Sequence, residues 1–348
     1  MKQIYYVIQT LLRGRGSNII KVLSLGLALT MSILLFVRVV FEQSYDTCYR
    51  DLDRIYQLFS IFTINGEQGE PSELNLPPVA GAVLENFPQE VEAAVSVCKY
   101  MAFGPLYNGS VRFKDYAVMA DSLFFQTLGI EVLRGDPLHE LQQKDVVFLS
   151  DRLAQKMFDD EDPVGKVINY DKQLQLTVKG IYAALPENST MNPEAVISIV
   201  SAWSRDWAEY SWEGGDSFFQ YIRFRPGVKV DVEKFNARLE TVIHNYLPQD
   251  GKDNSSYTSI VKPLRDVYRS GDMVKRMNAI TLILGLAILF IAAMNYVLIS
   301  ISSLSYRAKA VGVHKCNGAS GGTVFSMFLL ETGIVILLSL ILMVLLLL

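Results

Sequence analysis

RAKAVGVHKCNGASG, residues 307–321, is basic, glycine-rich and free of acidic residues. Before it runs MNAITLILGLAILF and its continuation to residue 301. After it, residues 323–348 end in VLLLL. A short cationic segment between two apolar runs decides the fold class, because each run is long enough to cross a membrane. At about 1.5 Å per helical residue, some 20 apolar residues traverse the ~30 Å hydrocarbon core. A further run lies at 19–41. The pattern predicts transmembrane helices over 19–41, 277–301 and 323–348.

The charge distribution agrees. The chain has 348 residues, half of them hydrophobic and 20% charged, with a formal net charge of −4. That average hides a split. Lys2, Arg13, Arg15 and Lys21 precede or open the first run with no acid among them, and Arg307, Lys309 and Lys315 stand together between the second and third. Residues 42–276 are left near −11. By the positive-inside rule the N-terminus and residues 302–322 face the cytoplasm, and 42–276 lie outside. The first run is longer than the apolar core of a signal peptide and has no A-x-A-like cleavage site, so it reads as an uncleaved anchor. Arg38 can snorkel to the outer interface.

The segment 42–276 reads as an α+β domain in two lobes. RIYQLFSIFTI (54–64), VEAAVSVCKYMAF (91–103), VRFKDYAVMA (111–120), residues 173–185 and FFQYIRFRPG (218–227) have strand character. PPVAGAVLENFP (77–88) reads as a helix opened by proline. DVVFLSDRLAQKMF (145–158) passes from strand to helix, with Ser150 or Asp151 placed to cap it. DVEKFNARLETVIHNYL (231–247) carries Val232, Phe235, Leu239, Val242 and Tyr246 along one helical face. GEQGEPSE (66–73) and QDGKDNSS (249–256) read as surface loops.

Catalytic signatures are missing from this sequence. It holds no G-x-x-x-x-G-K-[ST] phosphate loop, no H-E-x-x-H and no G-x-S-x-G. His139, His244 and His314 lie apart. Asp159, Asp160, Glu161 and Asp162 precede a turn and read as a solvated loop. Trp203, Trp207 and Trp212, with Tyr210, form either a ligand- or membrane-facing surface or core packing; the i, i+4 spacing of 203 and 207 favours the core. Cys48 and Cys98 fall in the outer domain, where an oxidising compartment would permit a disulfide, but two buried free thiols is the preferred reading. The expectation is a non-enzyme with no cofactor or metal.

The opening stretch itself reads as a short helix on the cytoplasmic face, with Leu304, Ala308 and Val311 on one side. Arg307 and His314 lie on the other, beside Lys315, and Asn317-Gly318 serves as a left-handed stop. The next helix starts at about Gly322. Attraction to anionic lipid, about 1 kcal/mol per basic residue, accounts for the charge. A docking helix for a cytoplasmic partner accounts also for the bracketing by Gly312 and Gly318.

YRAKAVGVHKCNGASGGTVFSMFLLET (306–332) resembles the signature of the FtsX/MacB-type permeases of ABC transporters. That signature is R-x-K-E-x-G-[IV]-[RH]-K-x-x-G-A followed by F-L-x-E-[ST]. Arg307, Lys309, Gly312, Val313, Lys315, Gly318, Ala319 and Glu331 match it. Ala310 stands where the family often has glutamate, and Cys316-Asn317 where it often has Val-Leu. EQSYDTCYRDLDRIYQL (42–58) is similar to the segment after the first span in permeases of Bacteroidetes-like bacteria. LPPVAGAVLENFPQEVEAAVSV (76–97), VVFLSDRLAQKMFDDEDPVGKVI (146–168) and TVKGIYAALPENSTMN (177–192) resemble the MacB-like periplasmic core domain.

The resemblance implies a permease subunit of the mechanotransmission type in a bacterial inner membrane. A separate cytoplasmic ABC ATPase would push the cytoplasmic helix, and helical stalks at 42–53 and 266–276 would carry that motion to the periplasmic domain. The implied layout is a cytoplasmic leader (1–18), spans at 19–41, 277–301 and 323–348, the periplasmic domain at 42–276, and a coupling helix and loop at 302–322. Arg307, Lys309, Gly312, Val313, His314, Lys315 and Gly318 would meet the ATPase, and Glu331 would lie at the membrane interface. A second permease unit is implied, as a homodimer or as the second half of a longer chain. A periplasmic adaptor or outer-membrane partner is implied too, and nucleic acid is not. The family unit has a fourth span, so a truncated chain is expected. The alternative is a membrane-anchored periplasmic ligand sensor; a sensor usually has a sizeable cytoplasmic output domain.

Overall fold

A computed structural model describes residues 15–348 except 100, 101, 103, 173, 214, 216, 248–255, 317 and 319. For residues 15–17, 303–307, 309, 310 and 314 the backbone alone is described. Lys2, Arg13, most of the 249–256 loop, Asn317 and Ala319 therefore lie outside the described residues, as do the side chains of Leu304, Arg307, Lys309 and His314. The described residues divide into a helical unit, residues 15–43 with 272–348, and an α+β unit, within residues 44–271.

Three helices of the helical unit are long and apolar enough to cross a membrane: Asn18–Gln43, Asp272–Ser302 and Gly321–Leu347. The first packs against both others at points where a glycine removes the side chain. A Cβ on Gly285 would lie 2.8 Å from Phe36, and one on Gly26 would lie 2.7 Å from Leu342. Such small-residue contacts let membrane helices approach closely. Two hydroxyls tie the same interfaces: Ser32 Oγ donates to the Gly285 carbonyl at 3.1 Å and Ser339 Oγ to that of Val22 at 3.3 Å. Arg38 pairs with Glu42 one turn on.

In the α+β unit the described strands join in one 14-stranded hydrogen-bonded sheet. Two lobes make it up. In the first, Ile55–Ile64 pairs antiparallel with Ser256–Pro263 on one side and Phe218–Phe224 on the other, and Phe218–Phe224 pairs with Val91–Cys98. In the second, Ala117–Ala120 runs parallel to Ala195–Ser198. That strand is antiparallel to Val146–Ser150, which lies parallel to Leu174–Tyr182. Val167–Tyr170, Leu106–Asn108 and Val111–Phe113 complete the edge. The lobes are stitched by a ladder of two pairs, Val97↔Ala120 and Cys98↔Met119.

Period-two alternation explains why the sheet is covered on both faces. Val95, Val97, Val118, Ala120, Val146 and Phe148 share one apolar cluster. Their neighbours Met119, Val147 and Leu149 point into another, under the helix Asp151–Phe158. Ser150 caps that helix, accepting from the Leu153 N–H at 2.9 Å. In the first lobe the helices Val79–Asn86 and Val232–Tyr246 cover the third cluster. Phe235, Leu239 and Ile243 are the buried stripe of the long helix, each contributing about 1.5–3 kcal/mol by leaving water. Tyr246, expected on that stripe, is exposed and stacks on Trp212 at 4.8 Å.

Three expectations need correction. The first helix ends at Gln43 and residues 44–51 are turns, with Asp46 and Asp51 at positive φ, so 42–53 is not a helical stalk. Residues 266–276 are helical but divided at Gly271, between Leu264–Ser270 and Asp272–Cys316. The tryptophans do not share a helix: Val200–Trp203 ends before Asp206, which takes φ 56°. Trp203 packs against the second lobe's core, Trp212 against the first lobe's, and Trp207 is exposed.

Candidate functional site

The basic segment is the end of a longer rod. One α-helix runs from Asp272 to Cys316, 45 residues, or about 68 Å. Its apolar part ends at Ser302, and the remainder carries Arg307, Lys309 and Lys315. The separate short helix expected at 302–316 is therefore a continuation of the preceding span. The physical reason lies in the sequence: from 272 to 316 there is no proline, and the glycines are Gly285 and Gly312 alone. One helical glycine costs about 1 kcal/mol relative to alanine, too little to stop a helix so favoured elsewhere.

The stop comes at Gly318, with φ 86°, whose N–H bonds the Lys315 carbonyl at 3.0 Å. Ser320 then caps the next helix, Gly321–Leu347, accepting from the Thr323 N–H at 3.3 Å. Gly312, Val313, Lys315 and Cys316 are exposed, and nothing lies within 4 Å of a Cβ placed on Gly312. The helix tip thus presents backbone, a positive charge and the apolar Val313 side chain without packing them.

Glu331, ten residues into the third helix, is buried at 9% exposure. Around that level three helices meet through polar groups. The Tyr296 hydroxyl donates to Thr332 Oγ1 at 2.8 Å, and Lys21, 2% exposed, places its ammonium 5.4 Å from the Tyr296 ring centre. Ionisable groups inside a helical bundle are costly in lipid and are kept where they join helices or serve a function. Lys21 entered the sequence reading only as part of a basic leader. Its position one turn inside the helix was the available signal.

The α+β unit contains a polar cavity of about 890 Å³, lined by Cys48, Asp51, Arg54, Glu92 and Arg223 among others. Arg223 occupies the all-buried strand Phe218–Phe224, and a charge there demands partners. It donates to Asp51 at 2.8 Å, to the Arg50 carbonyl at 3.1 Å and to the Thr127 carbonyl at 3.4 Å. Arg54 bridges Asp51 and Glu92 at 2.7 Å each. The hydrogen bond from Arg54 holds the Asp51 carboxyl below its usual range. Burial pushes the Cys48 thiol up, which makes it a poor nucleophile. Two cations and two carboxylates neutralise one another and tie residues 50–54 to the strands Val91–Cys98 and Phe218–Phe224. The sequence signal was an arginine within FFQYIRF.

No family model and no curated protein sequence matches the chain. Solved structures do match. A domain of a protein described as a permease, from Porphyromonas gingivalis, superposes with a TM-score of 0.53 at 21% identity, over 62% of this chain and 91% of that one. The periplasmic region of MacB from Actinobacillus actinomycetemcomitans gives 0.39 at 17% identity, over 58% and 87%. The extracellular domain of the noncanonic ABC-type transporter YknZ from Gram-positive bacteria gives 0.41 at 11% identity, over 60% and 99%. The α+β unit shares the fold of the Porphyromonas domain.

Proposed function

We propose that the chain is the permease subunit of an ABC transporter of the mechanotransmission type, seated in a bacterial inner membrane. Residues 42–276 lie in the periplasm and the basic helix tip faces the cytoplasm. The observation that carries this reading is the unbroken helix Asp272–Cys316, which follows the α+β unit in sequence and ends in an unpacked cationic tip. A rigid helix of about 68 Å outreaches the ~30 Å hydrocarbon core by more than twofold. A push on its inner end moves its outer end, because a helix transmits displacement along its axis without repacking.

In this reading a separate ATPase binds the tip through Arg307, Lys309, His314 and Lys315, with Gly312 and Gly318 allowing close backbone approach and Val313 offering an apolar contact. The chain hydrolyses nothing itself. Gly271 separates the helix 264–270 from the helix 272–316. A second permease unit completes the assembly, and the periplasmic unit engages an adaptor or outer-membrane partner for export or envelope regulation.

The test is mass spectrometry of proteins that co-purify from native membranes in mild detergent, with the Arg307→Glu, Lys315→Glu double variant alongside. The expected result is an ATPase with a Walker A motif present with the wild type and lost from the variant. No ATPase with either protein overturns the permease reading. An ATPase with both removes the role of the two charges.

A further inference from the structure

A second cavity, of about 600 Å³, lies where the two lobes of the α+β unit meet. Leu84 and Ala94 line it from the first lobe, Trp203 and Tyr210 from the second. Its charged lining residues are Asp121, Asp206 and Glu209; no lysine, arginine or histidine lines it among the described residues. The nearest arginine in sequence, Arg205, is turned to Asp145 at 2.9 Å.

Asp121 is held in place for a purpose its own bonds do not exhaust. Its Oδ1 accepts the Leu123 N–H and its Oδ2 accepts the Ser96 N–H, each at 2.9 Å. Each carboxylate oxygen retains a free acceptor site, and among the described residues no cation is paired with it. Burial pushes its carboxyl up to about 6; burial first, and then the fields of Asp121 and Glu85, push the Tyr210 phenol up. The Trp203 and Tyr210 rings meet edge to face at 5.3 Å. Tyr210 reaches over Gly81, where a Cβ would lie 2.6 Å from its hydroxyl, so glycine is what lets the ring form that wall.

We propose that this cavity binds a small organic cation, a protonated amine on a short apolar body. The amine sits against Asp121, and the body lies between the Trp203–Tyr210 wall and Leu84 and Ala94. Aromatic faces and carboxylates both attract a cation, and apolar walls take its body. An anion is repelled by three carboxylates. A neutral apolar molecule leaves the Asp121 charge with no added donor. A metal ion lacks a ligand set, since no cluster of three or more suitable side chains exists among the described residues. The volume lies within the range of small-molecule sites. The inference is independent of ATPase coupling: a chain with no partner would still bind the amine.

The test uses the full chain in nanodiscs of zwitterionic lipid and saturation-transfer NMR with phenethylamine, 2-phenylethanol and phenylacetate. Phenethylamine is expected to saturate in the low millimolar range, as a ligand of about nine heavy atoms should. The alcohol and the acid are expected to bind about tenfold more weakly or not at all. Asp121→Asn should weaken phenethylamine about tenfold, and Gly81→Val, which displaces Tyr210, by a similar factor. Should Asp121→Asn fail to fold, the exposed-side pair Asp206→Asn, Glu209→Gln should still weaken binding about threefold. Equal binding of amine and alcohol, no saturable amine binding, or full affinity in Gly81→Val with either charge variant would each overturn the proposal.

Discussion

The guanidinium of Arg223 meets the Asp51 carboxylate at 2.8 Å, across 172 positions of sequence. Arg223 is 4% exposed, so its charge depends on that contact and on two backbone carbonyls. Arg223→Ala leaves carbonyls and carboxylates without their donor, and the expected loss is about 2–4 kcal/mol. Arg223→Lys keeps the charge but not the planar fork, and should recover less than half of the loss. Thermal melting of the full chain in detergent checks this. An alanine variant melting within about 1 °C of wild type would refute it.

Asp121 makes stability fall as pH rises. Its carboxyl has an ordinary value of 3.8 and is pushed up to about 6 by burial. Between those values the folded chain binds more protons than the unfolded one, so raising the pH through that window is destabilising. The contribution is fully present below about pH 4 and is lost above about pH 6, with a total near 2–3 kcal/mol. Asp121→Asn abolishes it. The melting temperature of wild type minus that of the variant should therefore drop by about 5 °C from pH 4 to pH 7. A difference that stays constant with pH would sink the assignment.

Gly285 and Gly26 set the spacing of the membrane helices. Gly285→Leu must displace Phe36, an overpacking cost of about 1–3 kcal/mol. The double variant Gly285→Leu, Phe36→Ala should regain most of it, because the added side chain then fills the space vacated by the ring. Resistance of the purified chain to detergent denaturation reports both. No rescue in the double variant would mean that the two residues do not face each other.

The three cysteines provide a test of orientation. None forms a disulfide; Cys48 and Cys316 are exposed and Cys98 is buried. On intact spheroplasts a membrane-impermeant maleimide should label the exposed Cys48, slowly because partial desolvation in the cavity wall raises its thiol, and should spare Cys316. Permeabilisation should expose Cys316, and denaturation should add Cys98. Labelling of Cys316 before permeabilisation would reverse the proposed topology.

What could be read from residues alone followed range of interaction. Strands such as 55–64 and 146–150 were legible because alternation is local, and so were the three apolar helices. The stop at Gly318 was legible, but the 302–316 segment reads as a separate helix because the change from apolar to basic residues marks a membrane boundary and not a break in the backbone. The tryptophan spacing misled because Asp206 turns the chain at positive φ, which i, i+4 counting cannot register. Asp121 gave no signal at all. Its partner Ser96 is 25 positions away, and they meet only because Val97 pairs with Ala120.

That two-pair ladder has a consequence for how the protein is made. The second lobe is drawn from one stretch, 106–198, whereas the first lobe needs 55–98 together with 218–263. As the chain emerges during synthesis, the second lobe has every strand it requires some sixty residues before the first lobe can close. The early strands, rich in aromatic and β-branched residues, must wait with unpaired edges. Residues 55–64 gain their first long-range partner with Phe218–Phe224 and keep one edge open until Ser256–Pro263 arrives.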